Sequence, residues 1–481
     1  MALTIDRLRQ RWAERPPRLW VLGDVMLDQY VAGVVERVSP EAPVPVLRVK
    51  ERLERPGGAA NAAHNARTLG AVVALGGLVG DDSAGAHLGE LLRAVGITTG
   101  GLLRGAGPTT TKQRALAGAQ QLLRIDDERH TPLTPPQQQQ MIDALRAELP
   151  DPDVVLVSDY DKGVVSAELL ARLAATTNAP IFVDPKGDDW ARYVGAAAIT
   201  PNEREAQQAS GVAIVDERTL QAAAARLGER VPGAHVIVTR GARGMTARLS
   251  DGRFVHRPAR ARQTFDVTGA GDSAIAALLL ARAAGLDWPD ALHVANVAGG
   301  LAVGKIGAAP VWAEELFAAL GHEDFGCKLV ERRGLVELRR TADLLGQRLI
   351  FTNGCFDLLH VGHLKLLQAA RAMGDHLVVA VNSDESVRRL KGAERPIVGE
   401  RERALLLTGL ESVGSVTLFA EDTPLAAILA CRPDVLVKGG DYTIEDIVGA
   451  REVQGWGGDV RIVPLVAGHS TSATVERLRR G

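Results

Sequence analysis

Residues 349–381 read LIFTNGCFDLLHVGHLKLLQAARAMGDHLVVAV. Two short apolar runs, Leu349–Thr352 and His376–Val381, flank a helical run, Leu364–Met373, that stops at Gly374. Apolar runs this short, without polar alternation, suit strands covered on both faces. A helix between two such strands makes a βαβ unit whose ligand crevice lies at the carboxyl end of the first strand. The same cadence recurs outward along the chain, in Leu19–Leu22, Val154–Val157, Ile181–Val183, Val236–Thr239 and Val435–Val437, with Ala/Leu-rich helical segments between. The pattern predicts an α/β protein built on parallel sheets.

At 481 residues the chain exceeds what one hydrophobic core serves, so more than one domain is expected. The cadence breaks between Gly321 and Gly346, where the text becomes HEDFGCKLVERRGLVELRR. The expected division is a first domain at 1–330, a connector at 331–345 and a second domain at 346–481. Hydrophobic residues make up 46% and charged residues 24%, which excludes a disordered chain. A net charge of −2 supplies no field for nucleic acid or a membrane surface. Cys327, Cys355 and Cys431 are too few and too far apart for a disulfide framework or a zinc spacing. No export signal or membrane-spanning stretch is visible, and a cytoplasmic protein is expected.

The first reactive centre is read in Asp266-Val267-Thr268-Gly269-Ala270-Gly271-Asp272-Ser273, which runs into the apolar helix Ala274–Ala284 and closes at Gly285. Glycines at a helix start let the backbone approach a ligand, and the free N–H groups with the helix dipole favour an anion. That positive environment is expected to hold Asp272 ionised, ready to accept a proton from an attacking hydroxyl. An anion hole beside a base is what phosphoryl transfer to an alcohol requires. A dinucleotide-binding reading of GAGDSA is disfavoured because RQTFDVT before it is no strong strand. GGLAVGK at 299–305 lacks the Ser/Thr of a phosphate loop, since Ile306 follows it. Lys162 and Lys186, each after a strand, are candidates for a phosphate on the substrate, with surface lysines as the plain alternative.

The second centre is His360-Val361-Gly362-His363. Histidines three apart near a helix start share a face, and Gly362 between them opens the approach. Paired imidazoles beside helix amides can donate hydrogen bonds to a phosphate whose charge grows in the transition state. Zinc is disfavoured, because no further Cys/His cluster stands nearby.

These motifs carry two resemblances. Asp266–Ser273 resembles the D-T-x-G-A-G-D signature of ribokinase-like (PfkB) sugar kinases, and Gly57-Gly58-Ala59-Ala60-Asn61 resembles that family's glycine–asparagine motif, which contacts sugar hydroxyls. The resemblance implies sugar binding by Asp28, Gly57, Gly58 and Asn61. Asn202-Glu203-Arg204-Glu205 resembles the N-x-x-E element that organises magnesium and the ATP phosphates through water, with Glu205 facing the Mg²⁺. Gly269, Ala270 and Gly271 would then cradle the transferring phosphate. The H-x-G-H arrangement resembles the nucleotidyltransferases that include cytidylyltransferases and pantetheine-phosphate adenylyltransferases. For that domain the resemblance implies ATP contacts from Asn353, Gly354, Phe356, Asp357, Gly362, Lys391, Lys438, Gly439, Asp441, Ser470, Thr471 and Ser472.

The two domains in this order are similar to the bifunctional heptose kinase/adenylyltransferase family of bacterial lipopolysaccharide synthesis. The resemblance implies a ribokinase-like domain followed by a smaller Rossmann-like one, ATP as substrate of both, and a homodimer through the kinase domain. It also implies two reactions, phosphorylation of D-glycero-β-D-manno-heptose 7-phosphate at C1 and transfer of AMP to heptose 1-phosphate, separated by an independent phosphatase. Another sugar phosphate, CTP in place of ATP, or one domain kept only as a binding module are the open alternatives.

Overall fold

The computed structural model describes residues 5–118, 120–259, 269–303, 305, 309–321, 328–440 and 443–464. The chain divides into two compact units, one of Met1–Val31, Arg52–Ala115 and Gln121–Leu320, the other of Ala32–Glu51, Leu116–Gln120 and Gly321–Gly481.

Nine strands form the sheet of the first unit, in the order Phe254–Arg257, Met245–Arg248, His235–Thr239, Ala198–Ile199, Ile181–Asp184, Val154–Ser158, Arg18–Gly23, Val72–Gly80 and Thr98–Gly105. Side chains alternate across such a strand. Leu19, Val21, Val154 and Leu156 accordingly enter one buried cluster, and Trp20, Leu22, Val155 and Val157 enter the other. That is why the strand sequences are apolar without interruption. Helices Ala59–Thr68, Ala270–Ala283 and Trp288–Val303 cover the first face. Pro135–Glu148, Ala167–Thr176 and Glu217–Arg230 cover the second.

Two features depart from the expected parallel strands. Met245–Arg248 and Phe254–Arg257 pair antiparallel at one edge. A separate four-stranded sheet runs in the order Pro45–Gly58, Val25–Val38, Thr111–Ala117, Gln120–Asp127. Pro45–Gly58 and Gln120–Asp127 mix charged and apolar residues and are exposed along much of their length, whereas Val25–Val38 is mostly buried in its first half, where Asp28 and Gln29 interrupt the apolar run.

In the second unit five strands lie in the order Ser415–Phe419, His376–Asn382, Leu349–Gly354, Val435–Gly439 and Asp459–Val463, every neighbour parallel. Chain order reverses direction at Leu349–Gly354, which opens a crevice between its carboxyl end and that of Val435–Gly439. The stretch expected as a connector is helix Arg332–Leu345, whose Leu335 and Ala342 enter a buried cluster with Leu349 and Leu436. Among the described residues no helix is long and apolar enough to cross a membrane.

Candidate active sites

In the first unit the carboxyl ends of adjacent strands gather the expected residues. Asp24 and Asp28 follow Arg18–Gly23, Tyr160 and Lys162 follow Val154–Ser158, Lys186 follows Ile181–Asp184, and Asn202 follows Ala198–Ile199. Helix Ala270–Ala283 begins four residues earlier than expected, with Gly269 at φ 75° as its cap, so Asp272 lies in the first turn. Among the described residues a Cβ on Gly271 would meet no atom beyond its own helix and chain neighbours within 4 Å, so their packing does not demand glycine there, whereas close approach of a ligand would.

Asp272 is the meeting point of three segments. Asn61 donates from Nδ2 to its Oδ2 at 2.5 Å, and the Tyr160 hydroxyl lies 3.5 Å from its Oδ1. Asn65 braces Asn61 by donating to its carbonyl at 3.0 Å, and accepts from Ser273 Oγ at 2.6 Å. The helix start is not the only influence on the Asp272 carboxyl. Burial pushes its carboxyl up to about 6, the charge of Asp28 adds to that rise, and the hydrogen bonds from Asn61 and Tyr160 oppose it. A base poised near neutral pH transfers protons more effectively than a fully acidic carboxylate.

Asp28 is buried, and its Oδ1 accepts from Arg114 Nη1 at 2.6 Å. Nothing in the sequence pointed to Arg114. Gly57 is required by this carboxylate, because a Cβ there would stand 2.5 Å from Asp28 Oδ2. The two lysines go to different places. Lys162 Nζ donates to Glu128 Oε1 at 2.8 Å, in a group that includes Lys112 at 3.2 Å from Glu128 Oε2. Lys186 Nζ instead donates to Glu205 Oε1 at 2.8 Å.

The N-x-x-E element is a reciprocal helix cap. Asn202 Oδ1 accepts from the Glu205 N–H at 2.9 Å, and Glu205 Oε2 accepts from the Asn202 N–H at 3.0 Å. Glu203 is held by Arg243 at 2.6 Å and by Arg240 at 3.3 Å, while Arg204 is exposed. Asp184 was not singled out in the sequence. Burial, followed by the charges of Asp272 and Glu205, pushes its carboxyl well above the usual range. Among the described residues no three carboxylates, imidazoles or thiols converge closely enough to cage a metal directly.

In the second unit His360 caps helix Val361–Arg371 and His363 lies in its first turn. Their rings stack with centroids 3.8 Å apart, and Phe356 meets His363 edge-on at 5.1 Å. Burial, then His360 and Lys391, pull His363 down to about 4, so at neutral pH it is an uncharged donor. Phe356 turns the chain with φ 49°, a left-handed conformation costly for an aromatic residue. Gly354 gives its ring room, since a Cβ there would lie 3.1 Å from it. Lys438, at the end of the neighbouring strand, donates from Nζ to Asn353 Oδ1 at 3.3 Å, joining both sides of the crevice. Gly439 lets Leu366 pack, with a Cβ falling 2.9 Å from its side chain.

Asp357 and Arg403 form the frame beneath. Buried Asp357 accepts from Arg395 Nη1 at 2.5 Å and from the N–H groups of Ile397 and Val398 at 2.6 and 3.1 Å. These partners overcome the cost of its burial and hold its carboxyl below the usual range. Arg403, fully buried and missed in the sequence, donates to Val398 O at 2.9 Å, Cys355 O at 2.5 Å and Asp384 Oδ1 at 2.7 Å. An arginine inside the short helix Glu400–Thr408 gives no sign of which carbonyls it will reach. Asp266, Val267, Thr268, Asp441, Ser470, Thr471 and Ser472 lie outside the described residues.

Comparison with known proteins places residues 17–314 in the pfkB family of carbohydrate kinases and residues 351–475 with the cytidylyltransferase-like proteins. The bifunctional protein HldE of Geobacter sulfurreducens is 45% identical over 464 residues, covering 95% of each chain. That of Koribacter versatilis is 45% identical over 479 residues, covering 98% of each. That of Hyphomonas neptunium is 46% identical, covering 96% of this chain and 97% of its own. In fold, phosphofructokinase-2 from Escherichia coli superposes with a TM-score of 0.53 at 17% identity, over 64% of this chain and 99% of that one. A ribokinase from Arabidopsis thaliana, complexed with ribose and ATP, gives 0.51 at 19% identity, over 64% and 99%.

Proposed function

Since the chain belongs to the bifunctional HldE family, with a pfkB carbohydrate kinase as its first part, we propose that it carries out two steps of ADP-heptose synthesis. The first is ATP-dependent phosphorylation of D-glycero-β-D-manno-heptose 7-phosphate at C1, giving the 1,7-bisphosphate and ADP. The second joins heptose 1-phosphate to the AMP portion of a second ATP, giving ADP-heptose and pyrophosphate. The observation that carries this reading is the presence, in one chain, of Asp272 at a glycine-lined helix start and of the stacked His360–His363 pair at a sheet crevice.

In the kinase step Asp272 takes the proton of the anomeric hydroxyl as its oxygen attacks the γ-phosphorus, and the bond to ADP breaks. The amides of Gly269, Ala270 and Gly271 stabilise charge on the transferring group. Asp28, Gly57, Gly58 and Asn61 serve the sugar. Lys162, which shares Glu128 with Lys112, is the cation we assign to the 7-phosphate. Lys186, tied to Glu205, serves the nucleotide side with Asn202, Glu203 and Arg204. The acidic pair Asp184 and Glu205 fits a hard divalent cation held through water, so Glu205 would hold Mg²⁺, which neutralises phosphate charge when bound.

In the adenylyl step the attacking phosphate oxygen is already anionic, so no strong base is needed. Neutral His363 and its partner His360 donate to the α-phosphate as pyrophosphate leaves. Lys391 and Lys438, with Asn353, Gly354, Phe356, Gly362 and Gly439, form the ATP side; Asp357 acts by fixing the loop around Ile397. Asp441 and Ser470–Ser472 are assigned to the same nucleotide. The intermediate must leave for a separate phosphatase, and the kinase half is the homodimer contact we expect. Absence of a membrane-spanning helix among the described residues is compatible with work in the cytoplasm.

Mass spectrometry of products from heptose 7-phosphate and from heptose 1-phosphate, each with ATP and Mg²⁺, tests both halves. The bisphosphate and ADP-heptose are expected. Missing bisphosphate removes the kinase assignment, and missing ADP-heptose removes the other.

A further inference from the structure

Asp24 has no part in the chemistry above, yet both donors to the base hang from it. It is 2% exposed. Its Oδ2 accepts the backbone N–H of Tyr160 at 2.8 Å and of Lys162 at 3.0 Å, and its Oδ1 accepts that of Val164 at 3.1 Å. Its carbonyl accepts the Ala59 N–H at 3.0 Å, and its own N–H donates to Ser158 O at 3.1 Å. Gly58, at φ +57°, passes so close that a Cβ would fall 2.4 Å from the Asp24 carbonyl oxygen. One residue therefore fixes the start of helix Ala59–Thr68 and the loop after Val154–Ser158. The helix carries Asn61, and the loop carries Tyr160.

We propose that Asp24 is a positioning residue for phosphoryl transfer, holding Asn61 and Tyr160 as a two-donor clamp on the Asp272 carboxylate. This rests on the reading of Asp272 as the base. A carboxylate accepting three N–H groups makes charge-assisted bonds, stronger than those an amide could make in its place. An asparagine at this position would turn its own donor toward at least one of those N–H groups and release the loop. Around Asp272 the charged and titratable neighbours are Asp28, Tyr160 and Asp184, with Glu205 and Lys186 beyond Asp184. Burial and then the charge of Asp28 raise its proton affinity, and the two donors oppose that rise. Asp272 and burial push the Tyr160 phenol well above its ordinary value, so it remains a donor throughout.

The test follows ADP release from heptose 7-phosphate and ATP from about pH 5 to about pH 9, on full-length protein. Tyr160→Phe removes one donor, and the acidic limb of kcat/KM should move up by about 0.5–1 pH unit. Asp24→Asn should move it the same way and lower kcat about tenfold, with KM for ATP changed less than about twofold. Thermal unfolding of each variant, with AMP transfer to heptose 1-phosphate as an internal standard, gives the folded fraction. A limb that stays in place in Tyr160→Phe overturns the clamp. So does an Asp24→Asn loss that merely tracks the folded fraction. Should Asp24→Asn fail to fold, Tyr160→Phe decides. If Asp272→Asn keeps the kinase rate, it is the base assignment that fails.

Discussion

Replacing Arg403 by methionine should destabilise the adenylyltransferase unit while leaving the kinase reaction intact. The guanidinium is wholly inaccessible, and its three bonds reach a loop carbonyl at Val398, the turn at Cys355 and the carboxylate of Asp384. Methionine refills most of the volume, so the loss is electrostatic and hydrogen-bonding. Removing one partner of a buried pair costs about 3–5 kcal/mol, because the other charge stays behind. Asp384 keeps 27% of its side-chain surface in water, which relieves part of that penalty, while the two orphaned carbonyls add to it. For a unit of this size the same range lowers the midpoint of unfolding by roughly 6–20 °C. Residual AMP transfer after graded heating, with ADP release measured on the same samples, separates the two units. Asp384→Asn in the Arg403→Met background should cost less than the sum of the single changes, with a coupling of about 1.5–3 kcal/mol. Additivity to within about 0.5 kcal/mol, or a midpoint lowered by under about 2 °C, would refute the reasoning.

Asp272→Asn should cut the kinase rate by about 10²–10⁴ and spare AMP transfer, as assays of each half-reaction will tell. In the native protein the kinase rate should fall as pH drops through about 6, where Asp272 takes up its proton. The same carboxyl, raised on folding, withdraws stability as pH climbs from its unfolded value near 4 through about 6. Asp272→Asn should therefore unfold at a higher temperature than the parent at pH 8, by calorimetry, but not at about pH 4. His363, already neutral above about 4, should produce no inflexion in the pH profile of AMP transfer between about pH 6 and 8, while His363→Ala should slow that reaction by about 10²–10³. Gly271→Ala should leave the unfolding temperature unchanged and raise the KM for ATP, since among the described residues its Cβ meets no atom within 4 Å but narrows the phosphate approach. Gly23→Ala, by contrast, drives a Cβ to within 1.9 Å of Ser158 O and should abolish soluble kinase.

The local text of this chain carries whatever depends on neighbours in sequence. Apolar runs such as Leu19–Leu22 and Leu349–Thr352 are strands because both their faces are covered, and that double covering is itself written as unbroken hydrophobicity. Gly269 and Asp272 lie at a helix start, and His360 and His363 share one helical turn, so spacing alone places them. The mixed-polarity strands Pro45–Gly58 and Gln120–Asp127 escaped that logic, because strands exposed along much of their length leave no periodic apolar signature. Only the tertiary fold decided which distant side chains meet. Asp24 finds the backbone of Tyr160, Asp28 finds Arg114, and Arg403 finds Cys355, each across a gap of tens of residues or more. The proton affinity of Asp272 also belongs to the fold. A helix start by itself favours the carboxylate, and burial beside Asp28 outweighs it, a balance set by distances through space that no spacing along the chain encodes.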